Sequence, residues 1–166
     1  MLPEEVTGLI GQSLGTRIFD VEKGAIRKFA DAVDDQNPLY WDEEYARNSR
    51  YSSMIAPPGF FGWPTKWAKG STFPLSPEAS GSTEAIANPR ATLEKAGYGR
   101  LLDGGIEYEF FSPIRAGDTL TASSVIKNII EREGRAGKIV FMVVETTYTN
   151  QNSELVAKAR GTSIHR

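Results

Sequence analysis

The sequence predicts an α+β domain in which helices pack on one face of an antiparallel sheet. Three observations carry that expectation. In the first third of the chain Ile26, Phe29, Ala30 and Val33 recur at helical spacing. The last third, from Gly104 to Arg166, is strand-like throughout and broken only by short turns. Between them the apolar segment from Ile55 to Trp67 is suited to be the helix that the sheet wraps.

Taken in order, Gly15 to Val21 alternates weakly and predicts a short strand. The helix of Ile26 and Phe29 follows. Asp34-Asp35-Gln36-Asn37-Pro38 breaks it, because Pro38 disfavours the helical region for Asn37. Asp42 to Ala46 predicts a short helix whose leading acids suit the positive end of its dipole. Residues 69–100 are rich in Gly, Ser, Pro, Ala and Thr and show no strong period. That stretch reads as an insertion, either a surface excursion or a lid on a pocket.

In the last third Ile106, Tyr108 and Phe110 alternate with Glu107 and Glu109. Leu120 to Ile126 continues toward Ile130, and Glu133 to Gly137 is a glycine-containing hairpin connection. Ile139 to Val144, extended by Thr146 to Thr149, turns at Asn150 to Ser153 into Leu155 to Ala159. Strands joined in this way make an antiparallel meander.

Composition bounds the function. The chain has 166 residues, the size of one domain, and no internal repeat. It is 40% hydrophobic and 24% charged, the balance of a soluble globular protein. Nineteen basic and 21 acidic residues give a net charge of −2, with no basic stripe for nucleic acid. Without cysteine there are no disulfides and no thiolate metal sites. No apolar run approaches the roughly 18 residues of a membrane span. The residues from Met1 to Glu5 lack the basic and apolar regions of a signal peptide, so a cytoplasmic protein is expected. The single histidine, His165, is the only imidazole that a Ser-His-Asp site or a histidine metal site could use.

The segment Phe29 to Tyr40 resembles the hydratase motif of MaoC-like proteins, in which a helix runs into Gly-Asp-x-Asn-Pro-aliphatic-His. Asp35, Asn37 and Pro38 match in register. Ile55-Ala56-Pro57-Pro58-Gly59-Phe60 resembles the start of the family's central helix. Asp103-Gly104-Gly105, with Ser112 to Asp118, resembles its entry to the long strands. The match covers nearly the whole chain in order. It is similar above all to the N-terminal, dehydratase-like half of two-part dehydratases. The resemblance implies a hot-dog fold over residues 1–166, a curved antiparallel sheet wrapped around a central helix. It implies pairing into a larger sheet, as a homodimer or as a heteromer with a second MaoC-like chain.

It also implies (R)-specific addition of water to a 2-enoyl thioester, or the reverse, with no cofactor and no metal. The substrate would be carried on coenzyme A or an acyl carrier protein. A carboxylate and an imidazole share the protons of one water. A backbone N–H at a helix start stabilises the developing enolate. Asp35 takes the place of the family's aspartate. Asn37 is the motif residue that fixes the turn. Tyr40 stands where the histidine belongs, and a phenol with a pKa of about 10 is a poor base beside an imidazole at roughly 6.5. Pro58 falls where catalytic members present glycine and has no N–H to give, so Gly59 is the candidate donor if the register slips by one; the alternative is that Pro58 simply starts the central helix.

These departures predict a non-catalytic, thioester-binding subunit paired with a histidine-bearing partner. The alternatives are an active homodimer using Asp35 with Tyr40, a hot-dog thioesterase, or a structural or ligand-sensing module. Phe60, Phe61, Trp63 and Trp67 read as core packing, or as the wall of an acyl pocket that Pro64 widens by interrupting the helix. Arg115, Lys66 and Lys69 are candidate contacts for carrier phosphates, and Asp34 reads as a solvated acid ending a helix.

Overall fold

Sixteen residues of β3, Thr119–Gly134, and thirteen of β4, Gly137–Thr149, form the long hairpin on which the structure is built. The structure is a computed structural model that describes residues 2–61, 88–135 and 137–166. β1 (Ser13–Asp20) pairs with β3, β5 (Leu155–His165) with β4, and β2 (Leu101–Phe110) with β5. All pairings are antiparallel, in the order β1-β3-β4-β5-β2. The fold is α+β and of the hot-dog type.

One face of this sheet carries two apolar clusters. The first gathers Leu120, Ala122, Tyr148, Ala157 and Ala159 under helix α2 (Lys23–Ala32), with Tyr40, Ile55, Phe60 and Phe61. The second gathers Ile126, Ile129, Val140 and Met142 under Val6 and Leu9, at and just beyond α1 (Glu4–Thr7), and Leu93 of α4 (Pro89–Lys95). Side chains alternate along a strand, so Leu120, Ala122 and Ile126 share a face that Ile129 would miss. A bulge between Ile126 and Asn128 inserts one residue and returns Ile129 to that face. The Ile129 N–H donates to Asn128 Oδ1 at 2.9 Å, which satisfies a donor near the bulge.

The opposite face is mixed: a row of Ile130, Phe141 and Ile164 lies at one end and a group of ion pairs beside it. Arg160 spans Glu145 (2.8 Å) and Glu109 (3.3 Å), and Lys127 reaches Glu145 (3.4 Å). The alternation read for β2 holds, with Glu107 and Glu109 on the face opposite Ile106, Tyr108 and Phe110, whereas the apolar run 139–144 supplies both faces. β2 differs in environment: Ile106, Tyr108 and Phe110 are 55%, 40% and 50% exposed, because β2 is an edge strand.

Two expectations change. Residues 88–100, read as part of a stretch without regular structure, contain α4. The Ala91 N–H donates to Asn88 Oδ1 (3.1 Å), Pro89 starts the helix, and Leu93 is fully buried. A helix docked through its core residue is not a surface excursion; residues 69–87 lie outside the described residues. Likewise, the first part of the expected wrapped helix is not helical. Ile55 bridges Arg115, the Ala56 N–H donates to Ile114 O (2.8 Å), and Phe60 N–H to Pro57 O (3.1 Å) closes a turn. The rest of that segment, with Trp63, Pro64 and Trp67, lies outside the described residues. No helix among the described residues is long and apolar enough to cross a membrane.

Phe61 ties the first cluster to the sheet, stacking on Tyr148 at 4.3 Å and on Tyr108 at 5.1 Å between centroids. Burial pushes the Tyr148 phenol up to about 12. The folded chain therefore holds a proton that the unfolded chain loses near pH ~10. The resulting stabilisation is fully present below about pH 10 and falls, by on the order of 3 kcal/mol, as pH rises to about 12. Tyr148→Phe should flatten the decline in denaturant midpoint over that window; an unchanged decline would contradict it.

Candidate active site

The loop from Asp34 to Tyr40 is built by the way α2 ends. Asp34 adopts the left-handed region (φ 53°). Its N–H donates to Asp31 O (3.1 Å), and the Asp35 N–H donates to Ala30 O (2.8 Å). This is the paired bonding of a Schellman stop. Asp34 occupies the place where the hydratase motif carries glycine, and aspartate tolerates this conformation better than most residues. Val33, expected on the buried face, is exposed because the helix stops just before it. Asp34 is a solvated acid, as expected.

Asp35 then organises the turn. Its Oδ1 accepts the Asn37 N–H (3.1 Å), and its carbonyl accepts Trp41 Nε1–H (2.9 Å). Asn37 Oδ1 accepts the Leu39 N–H (3.1 Å) and caps the 3-10 turn Pro38–Tyr40. Asp42 repeats the device, accepting from Glu44 N (2.9 Å) and Tyr45 N (3.0 Å) at the start of α3 (Glu43–Asn48).

Tyr40 is buried in the first cluster. Burial raises its pKa, and the charge of Asp35 and then Tyr51 raise it further; a hydrogen bond from the Asn37 side chain works the other way. The phenol at the imidazole position therefore keeps its proton more firmly than a free tyrosine. It can donate a hydrogen bond but is even less available as a base at neutral pH than the sequence alone implies. Asp35, Asn37 and Tyr40 are brought together by one short loop.

Gly59 lies in the turn after Pro57 with φ 86°, and a Cβ there would stand 3.8 Å from Phe29 Cζ. Among the described residues its N–H meets no acceptor, whereas the Phe60 N–H is taken by Pro57 O. Gly59 is thus the free donor beside Pro58. Phe60 is fully buried, edge-on to Phe29 at 5.7 Å. Trp63 and Trp67 lie outside the described residues.

Other candidates part from this site. The Arg115 guanidinium bonds Tyr51 O and Ser53 Oγ (3.2 Å), so it holds the 51–53 segment. Lys66 and Lys69 lie outside the described residues. His165 pairs with Val140, at the far end of β4 from Tyr148, roughly 27 Å away at about 3.4 Å per residue. It is buried, bonds Ser163 Oγ through Nε2 (2.9 Å), and has its pKa lowered mainly by desolvation. The only imidazole of the chain is structural and cannot serve Asp35. Nothing in the local sequence marks Ser163 as its partner; the register of one strand does.

Comparisons with known proteins give the family and the fold. The model of the FAS1-like dehydratase domain region matches residues 8–159. A UPF0336 protein of Thermobifida fusca is 33% identical over 111 residues, 67% of this chain and 62% of that one. The chain thus spans just under two thirds of the length of that relative. A probable enoyl-CoA hydratase alpha subunit of Thermomonospora curvata is 30% identical over 136 residues, 81% of this chain and 41% of that one. The ChsH1-ChsH2 complex of Mycobacterium tuberculosis contains a chain with a TM-score of 0.74 at 18% identity, over 96% of this chain and 86% of that one. The HadBC 3R-hydroxyacyl-ACP dehydratase complex of the same organism gives 0.64 at 23%, over 94% and 96%. Both structures share the fold.

The cap at Asn37 yields a direct test. Asn37→Ala should cost about 1 kcal/mol in urea unfolding, and Asn37→Ser, which keeps an oxygen acceptor, should regain most of it. Equal stability of all three would mean that the Leu39 N–H bond does not hold the loop.

Proposed function

Because the chain belongs to the FAS1-like dehydratase family, we propose that it is the non-catalytic half of a hydratase. In this reading residues 1–166 form one hot-dog domain that binds a 2-enoyl or 3-hydroxyacyl thioester. A second MaoC-like chain supplies the imidazole. The observation that carries the proposal is Tyr40: at the imidazole position stands a buried phenol whose pKa is raised. Hydration needs a carboxylate and a base sharing one water. Here the carboxylate of Asp35 is present and the base is not.

Two further features support the reading. The free Gly59 N–H can receive a thioester oxygen, in keeping with a chain that binds without turning over. And β2 offers an edge for pairing. A ten-residue edge strand with Ile106, Tyr108 and Phe110 exposed is an aggregation hazard unless another chain covers it. The relative from Thermomonospora is an alpha subunit, and both structural neighbours are complexes, which fits a heteromer.

The test is hydration of crotonyl-CoA by the purified chain. The wild-type chain should work at or near the uncatalysed rate. Tyr40→His, which restores the motif imidazole, should raise hydration toward the roughly 10²–10⁴-fold that a placed acid–base group supplies, and adding Asp35→Asn should abolish the gain. Turnover by the wild-type chain that disappears in Asp35→Asn alone would make it an active hydratase using Asp35 with Tyr40, and would overturn the proposal.

A further inference from the structure

The strand register sets side chains of the cluster-bearing face in rows across the sheet. One row runs Arg17, Ala122, Tyr148, Ala157, Phe110 from β1 to β2. Arg17 is half-buried there, while its neighbour Ile18 points to the other face. Among the described residues the Arg17 guanidinium has neither an ion pair nor a hydrogen bond, in contrast to Arg115, Arg27 and Arg160. Between Arg17 and Tyr148 in this row stands only the methyl group of Ala122.

Tyr148 is the second half of the observation. It is 6% exposed, and among the described residues its hydroxyl has no hydrogen-bond partner. A buried phenol O–H normally finds one. The positive charge of Arg17 reaches this hydroxyl, and so does Tyr108 from β2. A half-buried cation and a buried O–H donor, both without a partner among the described residues, therefore stand in one row of the sheet within electrostatic reach of each other. Tyr148 lies in the same apolar cluster as Tyr40 and Phe60.

We propose that Arg17 and Tyr148 together form a receptor for an oxyanion of the bound thioester. Guanidinium and phenol are both donors only toward such a group, and a charge-assisted bond in a half-buried setting is strong enough to hold it. The oxyanion is either a phosphate of the carrier arm or a carboxylate borne by the acyl group. The inference rests on the thioester reading above and adds to it which chemistry the ligand presents and where.

Three probes separate the cases in binding titrations with the full chain: crotonyl-CoA, crotonyl-pantetheine, which carries no phosphate, and glutaconyl-pantetheine, which carries a carboxylate and no phosphate. Arg17→Gln and Tyr148→Phe should each weaken one anionic probe about tenfold and leave crotonyl-pantetheine within about twofold. Loss confined to crotonyl-CoA identifies a phosphate, and loss for glutaconyl-pantetheine identifies an acyl carboxylate. Arg17→Lys, which keeps the charge, should recover part of the affinity. All three probes within about twofold of wild type in both variants would overturn the receptor while leaving thioester binding intact. A wild-type chain that binds none of the probes would instead overturn the thioester reading itself.

Discussion

Strand β3 must present apolar side chains to one face of the sheet at both of its ends, because helices cover that face along its whole length. Strict alternation cannot do this where the apolar residues are Leu120, Ala122, Ile126 and then Ile129. The bulge after Ile126 resolves the conflict with one extra residue. Everything else follows from that parity. Val140, Met142 and Tyr148 on β4 face the same way, and so do His165, Ser163 and Ala157 on β5. The bulge thereby decides which polar groups are buried with the core and which join the ion pairs of Glu145 and Arg160 outside.

The candidate site depends on a second backbone device, the left-handed residue that stops α2. With Asp34 in that conformation, the chain reverses at once and places Asp35, Asn37 and Tyr40 within one short loop. The side chains then hold the loop from inside: Asp35 accepts from Asn37, and Asn37 accepts from Leu39. The turn is held by Asp35 and Asn37 and needs no imidazole at position 40. That separation of architecture from chemistry explains how the motif keeps its shape while its histidine position holds a buried phenol.

Much of this was legible in the residues and some was not, for identifiable reasons. β1, α2 and the β3-β4-β5 meander follow periodicity, which is a local property, whereas β2, read as the first strand of that meander, crosses over to pair with β5, which no local pattern marks. The Asp35-x-Asn37-Pro38 turn is also local, since its hydrogen bonds span two residues. Helix α4 carried its own signals in Asn88 followed by Pro89, but seven residues are too few for a period to emerge among the small residues around them. Arg17 and Tyr148 were beyond reach for a different reason. They lie on strands separated by a third, and only the pairings Arg17 with Ala122 and Ala122 with Tyr148 place them in one row. The burial of His165 between Val140 and Leu101 likewise depends on both neighbouring strands.

The two unusual features of the chain fit one division of labour. A subunit that must perform hydration needs a base beside Asp35, and burial of Tyr40 denies it one. A subunit that must hold a thioester needs donors aimed at oxygen. Three such donors have no partner among the described residues: the Gly59 N–H, the Arg17 guanidinium and the Tyr148 hydroxyl. Unpaired buried donors cost stability when nothing occupies them. The Tyr148 hydroxyl, in the same apolar cluster as Tyr40, makes physical sense if a ligand completes it, and in the proposed heteromer the chemistry would fall to the partner chain.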